Sequence, residues 1–162
     1  MKGVGKLTFF CGKMGAGKTT KSQLLSQETS AVLISEDDWL TTLYPDQIKT
    51  FDDYLLYSAR LKPLVRSHVQ NILQTGTDVV LDYPANTAKQ RKWFMELSSE
   101  VGAAHELMFL ERTDEQCLTH IAKRRVEQPH RAQFDCEDVF HMVTQYFEPP
   151  IESENLTIVY CD

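Results

Sequence analysis

Long apolar runs are missing from this chain of 162 residues, and none approaches the roughly 20 residues that a membrane-spanning helix needs. Residues 1–6 also lack the apolar core of a secretory signal, so we expect a cytoplasmic protein without membrane contact. Cysteine is scarce, and the four that occur form no C-x-x-C pair: Cys11, Cys117, Cys136 and Cys161. Neither a disulfide framework nor a zinc site is therefore expected.

Positive charge is also in short supply. The chain has 17 Lys and Arg against 23 Asp and Glu, which gives a net charge of −6 at pH 7. Proteins that bind nucleic acid non-specifically usually carry the opposite balance, so we expect no nucleic-acid partner. An N-K-x-D guanine-reading motif is missing too, which argues against a GTPase. The apolar share of 42% is that of an ordinary globular domain with a core of its own.

A complete G-x-x-x-x-G-K-[ST] pattern is present at residues 12–19. A β-rich apolar run, 7–11, precedes it and a helical pattern follows, which is the context in which this pattern forms a phosphate-binding loop. Lys18 is predicted to act near the β and γ phosphates, and Thr19 to ligate Mg2+. Backbone N–H groups and the positive end of the helix supply the remaining attraction. The predicted nucleotide contacts in the loop are Gly12, Lys13, Met14, Gly15, Ala16, Gly17, Lys18, Thr19 and Thr20.

Strand and helix patterns alternate along the rest of the chain. The predicted strands are 7–11, 31–35, 78–81, 105–110 and 156–161. The first four are nearly continuous apolar runs, as in parallel strands that are covered on both faces. The alternation predicts an α/β fold, an open parallel sheet with helices on both faces.

Several threonines mark helix starts. Thr50, Thr87 and Thr113 each stand three residues before Asp or Gln, which is the capping-box spacing. Asp135 is expected to cap a further helix. The helix that follows Thr50 is predicted to reach residue 75, with a bend or break near Pro63.

Ligands of such sheets bind at the carboxyl ends of the strands, where this chain carries carboxylates. The second strand runs into residues 36–38, and we predict that Asp37 orients the acceptor hydroxyl, takes its proton and adds a ligand for Mg2+. Asp38 is the alternative base, or the N-cap of a helix that starts at Trp39. The third strand ends in Asp82, in the h-h-h-D pattern of a carboxylate that holds Mg2+ or one of its waters.

Two further segments are candidates for the acceptor and for a lid. Asn86 is predicted either to hydrogen-bond the acceptor or to form a turn. The segment 39–75 is expected to cover the acceptor pocket, and its aromatic residues line that pocket or pack in the core. These aromatic residues are Trp39, Tyr44, Tyr54 and Tyr57.

The lid is predicted at residues 123–135, a basic and polar stretch that contains a proline. Arg124 is predicted to bind the nucleotide and stabilise the transferred phosphoryl group. Arg125 and Arg131 are alternatives for that role. A solvated basic helix end that favours the helix dipole is the simpler interpretation.

The phosphate loop, residues 35–39, residues 79–86 and the arginine-bearing lid occur in this order, and together they resemble the AAA_33-type P-loop proteins. That group is similar to polynucleotide kinase, zeta toxin, gluconate kinase and chloramphenicol phosphotransferase. The resemblance implies one three-layer α/β/α P-loop NTPase domain over 1–162, nucleoside-monophosphate-kinase-like, with a five-stranded parallel sheet in the order 2-3-1-4-5. It further implies ATP, Mg2+ and kinase chemistry. Asp37 matches the base position and Arg124 a lid arginine.

One position departs from the polynucleotide kinase pattern. Leu40 stands where that pattern has an arginine for the acceptor phosphate, which argues against a nucleic-acid 5′ end as substrate. The leading hypothesis is a kinase that acts on a hydroxyl of a small molecule. The alternatives are a nucleotide-dependent switch, which would expose an apolar patch, and a toxin-like kinase of nucleotide sugars. A kinase should show an enclosed cleft between Asp37 and the Tyr54 region, and we make no prediction of oligomeric state.

Overall fold

The computed structural model describes residues 3–161. One sheet of five parallel strands has the order β2-β3-β1-β4-β5. The strands are β1 Leu7–Cys11, β2 Val32–Ser35, β3 Val79–Pro84, β4 His105–Leu110 and β5 Ile158–Cys161. The order confirms the sheet that the resemblance implies.

Six helices connect the strands among these residues. They are α1 Lys18–Thr29, α2 Glu36–Leu43, α3 Phe51–Gln74, α4 Ala88–Ser99, α5 Asp114–Glu127 and α6 Glu137–Thr144, with single 3-10 turns at Pro129–Arg131 and Glu152–Glu154. No helix within 3–161 is long and apolar enough to cross a membrane.

The two faces of the sheet bury separate cores, because successive side chains of a strand point to opposite faces. On one face Phe9 and Leu81 pack with residues of α3 and α4, such as Val65. On the other face Phe10 and Val80 belong to a second cluster, whose helical members are Cys117, Ile121 and Phe140. The central strands are therefore covered by helices on both sides, which explains their continuous apolar sequences.

Local capping confirms most of the predicted helix ends. Thr50 and Thr113 form full capping boxes, and Thr87 accepts a hydrogen bond from the backbone N–H of Gln90. Gly76 lies two residues after Gln74, the last residue of α3. Its φ of 87° is a left-handed conformation that suits glycine. The boundaries of the helices thus follow from short-range hydrogen bonds.

Two helix starts differ from expectation. The prediction that Asp135 caps α6 is wrong: Cys136 holds the cap position without a side-chain bond, and the Asp135 carboxylate instead accepts from two arginines. The helix expected to begin at Trp39 begins at Glu36. Ser35 caps it, with its Oγ accepting from the backbone N–H of Asp38 at 3.3 Å.

The expected break near Pro63 is also absent from the described helix, since α3 runs through it from Phe51 to Gln74. A proline removes one helical hydrogen bond, but the buried residues Leu61 and Val65 pack against the core on either side of it. Tertiary packing therefore holds the helix together across the proline. The smaller differences lie at strand ends, where β2 starts at Val32 and β3 extends to Pro84.

Candidate active site

The phosphate loop joins β1 to α1 at the carboxyl edge of the sheet. Gly15 and Gly17 have φ values of 81° and 98°, which side chains rarely adopt. A Cβ added at Gly15 would also lie 2.6 Å from the carbonyl oxygen of Cys117 in α5. The loop needs glycine here for its turn and for close packing of α5, and its open side is left for an anion.

Lys18, the first residue of α1, reaches back over the loop. Its Nζ donates to the carbonyl oxygens of Gly12 at 2.5 Å and Lys13 at 3.2 Å. Burial lowers the pKa of Lys18 to about 8, against the opposing effect of the Asp82 charge. A cation that is partly removed from water at a loop of N–H groups fits the binding of phosphate oxygens.

Thr19 and Asp82 meet across the edge of the sheet. The Thr19 hydroxyl donates to Asp82 Oδ2 at 2.9 Å. Burial raises the pKa of Asp82, and the charges of Asp37 and Asp38 add to this, while Thr19 and Lys18 oppose it. One hydroxyl and one carboxylate beside a phosphate loop fit Mg2+, which is usually held by one or two carboxylates together with substrate phosphates and water.

Asp37 lies in the first turn of α2, and its side chain is 62% exposed. It accepts a hydrogen bond from Nη1 of Arg131 at 2.8 Å, so the segment predicted to be a lid contacts the predicted base. The Asp37 and Arg131 charges attract each other at the same sheet edge as Asp82. The choice of Asp37 as the base stays a prediction, and Arg131 is the lid arginine that the structure places beside it.

Arg124 has a different position. Its Nε and Nη2 donate to the two carboxylate oxygens of Asp135 at 2.9 and 2.6 Å, and Arg131 Nε donates to Asp135 Oδ2 at 3.1 Å. The Asp135 side chain is fully buried. Arg124 therefore joins α5 to Asp135 within the segment predicted to be a lid, while Arg125 is exposed in the last turn of α5.

Asn86 supports the phosphate loop, which differs from both of its predicted roles. Its side-chain oxygen accepts from the backbone N–H of Gly12 at 3.0 Å, and its backbone N–H donates to Gln90 Oε1 at 2.8 Å. Its carbonyl accepts from the N–H of Glu148 at 2.8 Å. A single residue after β3 thus connects the loop, α4 and the segment after α6.

A cavity of about 130 Å³ lies between α3, α4 and the end of β3. Its polar wall is built around Glu36, which accepts hydrogen bonds from the Tyr54 hydroxyl and, at 2.7 Å, from Ser58 Oγ. Burial raises the pKa of Glu36, although these hydrogen bonds and the charge of Lys62 oppose the shift. The lining residues are Glu36, Tyr54, Leu55, Ser58, Ala59, Lys62, Tyr83, Pro84, Gln90, Trp93 and Phe94.

The cavity adjoins the expected cleft, but its carboxylate is Glu36 and not Asp37. Of the aromatic residues in segment 39–75, Tyr54 lines it, whereas Tyr44 and Tyr57 pack ring to ring at 4.4 Å. Strand alternation does not distinguish Glu36 from Asp37 and Asp38, because Glu36 is the first residue of α2 and Ile34, Ser35 and Glu36 are all buried.

The fold, the loop and the Thr19–Asp82 contact together define a P-loop kinase-like protein. The chain belongs to the AAA_33 family, described as an AAA domain, whose model matches residues 7–150. No curated protein matches the chain significantly.

Solved structures with the same fold come from several organisms. The APS kinase CysC of Mycobacterium tuberculosis, in complex with AMPPNP and APS, is 20% identical with a TM-score of 0.64, over 99% of this chain and 90% of that one. A sugar kinase from Janibacter sp. HTCC2649 is 15% identical with a TM-score of 0.63, over 98% and 85%. Kti12 of Chaetomium thermophilum, in complex with ADP-AlF3, is 16% identical with a TM-score of 0.65, over 96% and 89%. At these identities the likeness shows the fold alone.

Proposed function

We propose that the protein is an ATP-dependent kinase that transfers the γ-phosphoryl group to a hydroxyl of a small molecule. The observation that carries this proposal is the grouping of the Thr19–Asp82 pair, the Asp37 carboxylate and a cavity of about 130 Å³ at one edge of the sheet. The relatives of the same fold include two named kinases, which supports the reaction class.

The phosphate donor would be held by the loop. The N–H groups of residues 12–20 and the Lys18 ammonium bind its phosphate oxygens, and Thr19 with Asp82 hold Mg2+. When bound, the ion neutralises charge on the phosphate oxygens. The Asn86 bond to Gly12 fixes the start of the loop in the conformation that these contacts need.

The acceptor hydroxyl would be held beside Asp37. As its oxygen bonds to the γ-phosphorus and the bond to the β–γ bridging oxygen breaks, its proton passes to the Asp37 carboxylate. Arg131 donates to Asp37 in the structure, so it must release that carboxylate for the reaction. Once released it lies next to the transferred group, where a guanidinium stabilises the developing charge.

A nucleotide-dependent switch is the second candidate, because α3 exposes large apolar side chains. Leu55, Leu56 and Leu64 are 50, 49 and 60% exposed. Exposed apolar residues of this kind are the feature expected of a surface that binds a partner in one nucleotide state. A switch would hydrolyse ATP slowly and label no metabolite, which separates the two functions.

The test is a screen of a metabolite pool with γ-labelled ATP and Mg2+, using the wild type, Asp37→Asn and Asp38→Asn. We expect a labelled product with the wild type and with Asp38→Asn. Asp37→Asn should bind ATP normally in calorimetry and lose transfer by roughly 100-fold or more, the range of a general base. Transfer at the wild-type rate by Asp37→Asn would contradict its role, and no labelled product with the wild type would favour the switch.

A further inference from the structure

The cavity between α3 and the end of β3 contains a polar group that the described residues leave without a partner. Tyr83 is 2% exposed, and its hydroxyl is buried with no hydrogen bond to any atom of residues 3–161. Buried hydroxyls are nearly always paired, so this one calls for an acceptor from outside the chain. Tyr83 is one of the residues that line the cavity, so this unpaired hydroxyl belongs to a side chain of its wall.

Glu36 stands near Tyr83 because the two residues follow a paired position. Ser35 of β2 is in register with Asp82 of β3. Glu36 follows Ser35 as the first residue of α2, and Tyr83 is the next residue of β3. The Glu36 carboxylate already accepts from Tyr54 and Ser58, and a carboxylate has about four acceptor sites. Glu36 can therefore accept a further donor, while the Tyr83 hydroxyl has no acceptor among the described residues.

Only some chemical groups can donate a hydrogen bond to Glu36 and accept one from Tyr83 at the same time. A hydroxyl accepts from Tyr83 and donates to Glu36. A phosphate or carboxylate of the ligand cannot donate to Glu36 and would repel it, and an ammonium cannot accept from Tyr83. The pair thus selects a neutral hydroxyl.

The rest of the wall and the size of the space narrow the ligand further. Tyr54, Trp93 and Phe94 supply aromatic surface for its C–H groups, and the Lys62 ammonium lies 5.5 Å from the centre of the Trp93 ring. A cavity of about 150 Å³ holds a benzene molecule. The 130 Å³ observed here therefore suits one six-membered ring or a shorter chain, and not a nucleotide.

We propose that this cavity binds a small neutral polyol, at most one six-membered ring in size, through a hydroxyl that joins Tyr83 to Glu36. Glu36, which lines the cavity, is followed in the first turn of α2 by Asp37, the predicted base. This inference rests on the proposed kinase function and names its acceptor class. The volume of the cavity argues against nucleotide sugars, and the Glu36 charge argues against phosphorylated acceptors.

The experiment measures binding of a panel of neutral monosaccharides and cyclitols by saturation-transfer NMR and calorimetry, without nucleotide. The amino sugars and sugar phosphates of the same rings are the charged comparators. We expect at least one neutral polyol to bind, and its charged derivatives to bind at least tenfold more weakly. Tyr83→Phe should weaken the polyol at least tenfold, and Glu36→Gln should do the same.

The controls separate a binding role from a structural one. Tyr57→Phe makes the same change on α3 outside the cavity and should leave polyol binding unaltered. Because the Tyr83 hydroxyl has no partner within residues 3–161, Tyr83→Phe should not lower the melting temperature of the unliganded protein. A lowered melting temperature with polyol binding unchanged would mean that the Tyr83 hydroxyl pairs with an ordered water and not with the polyol, which overturns the proposal.

The remaining outcomes distinguish this inference from the kinase proposal. Failure of every neutral polyol to bind, while γ-labelled ATP still marks another metabolite, would overturn the acceptor class and leave the kinase standing. Polyol binding without any transfer from ATP would support the cavity and contradict the kinase.

Discussion

The phosphate loop and the cavity sit on opposite faces of the same strand. Asp82 of β3 faces α1 and contacts Thr19, whereas the next residue, Tyr83, faces α3 and lines the cavity. The first site is made by one continuous segment, residues 12–19, while the second is assembled from α2, α3, β3 and α4. The comparison shows why nucleotide binding can be recognised from a motif and the acceptor cannot: only one of the two sites is local in sequence.

Lys18→Ala gives the sharpest test of that separation. It removes the cation of the phosphate loop and should weaken nucleotide binding by roughly 100-fold, the equivalent of a lost charged hydrogen bond. Polyol binding in the cavity should be unchanged, because Lys18 is not among its lining residues. Calorimetry with Mg-ATP and with the polyol measures both, and Lys89→Ala on α4 is the matched control. Equal losses of both ligands would show that the two sites are not separate.

The alkylation rate of Cys11 measures how well the region behind the phosphate loop is shielded from solvent. Its thiol is buried next to Arg91, and burial raises its pKa from the usual 9.0 to about 11 although the Arg91 and Lys18 charges oppose this. A raised pKa leaves less thiolate at pH 8, so alkylation should be about 100-fold slower than for an ordinary thiol and should accelerate as the pH approaches 11. Mass spectrometry after iodoacetamide should find Cys161 labelled first. Rapid labelling of Cys11 at pH 7 would contradict this.

Asp135→Asn is expected to have the smallest effect of these three predictions. It tests the ion pairs within the segment predicted to be a lid. The substitution removes the buried charge shared by Arg124 and Arg131, which should cost about 2 kcal/mol of unfolding free energy. Urea unfolding measures it, with the exposed Asp138→Asn as the control. Polyol binding should not change. A stability equal to that of the wild type would show that the ion pairs contribute nothing.

Much of the fold could be predicted because it depends on local patterns. The bounds of β1 and β4 agree with the predicted 7–11 and 105–110, and the threonine caps follow from spacing alone. The sheet order came from the resemblance, since nothing local states which strands are neighbours. The long helix α3 was underestimated at Pro63, because packing of its buried face is a tertiary effect.

The site was only partly predictable for the same reason. The loop residues lie where their motif indicates, and the metal and catalytic roles of Thr19, Asp82 and Asp37 stay predictions. Asp135 fits a cap by sequence, but two arginines from α5 and the following turn compete for its carboxylate. Such partners are distant in sequence, so no spacing rule identifies them.

The alternation of β3 constrains how such a protein can evolve. A single inserted or deleted residue before Asp82 would exchange the side chains of the two faces of β3, and both proposed sites would be disrupted in one step. Substitutions at Tyr83 and on the facing side of α3 leave the opposite face intact. A variant that keeps the length of this strand keeps Asp82 beside Thr19 whatever side chains change on the α3 face.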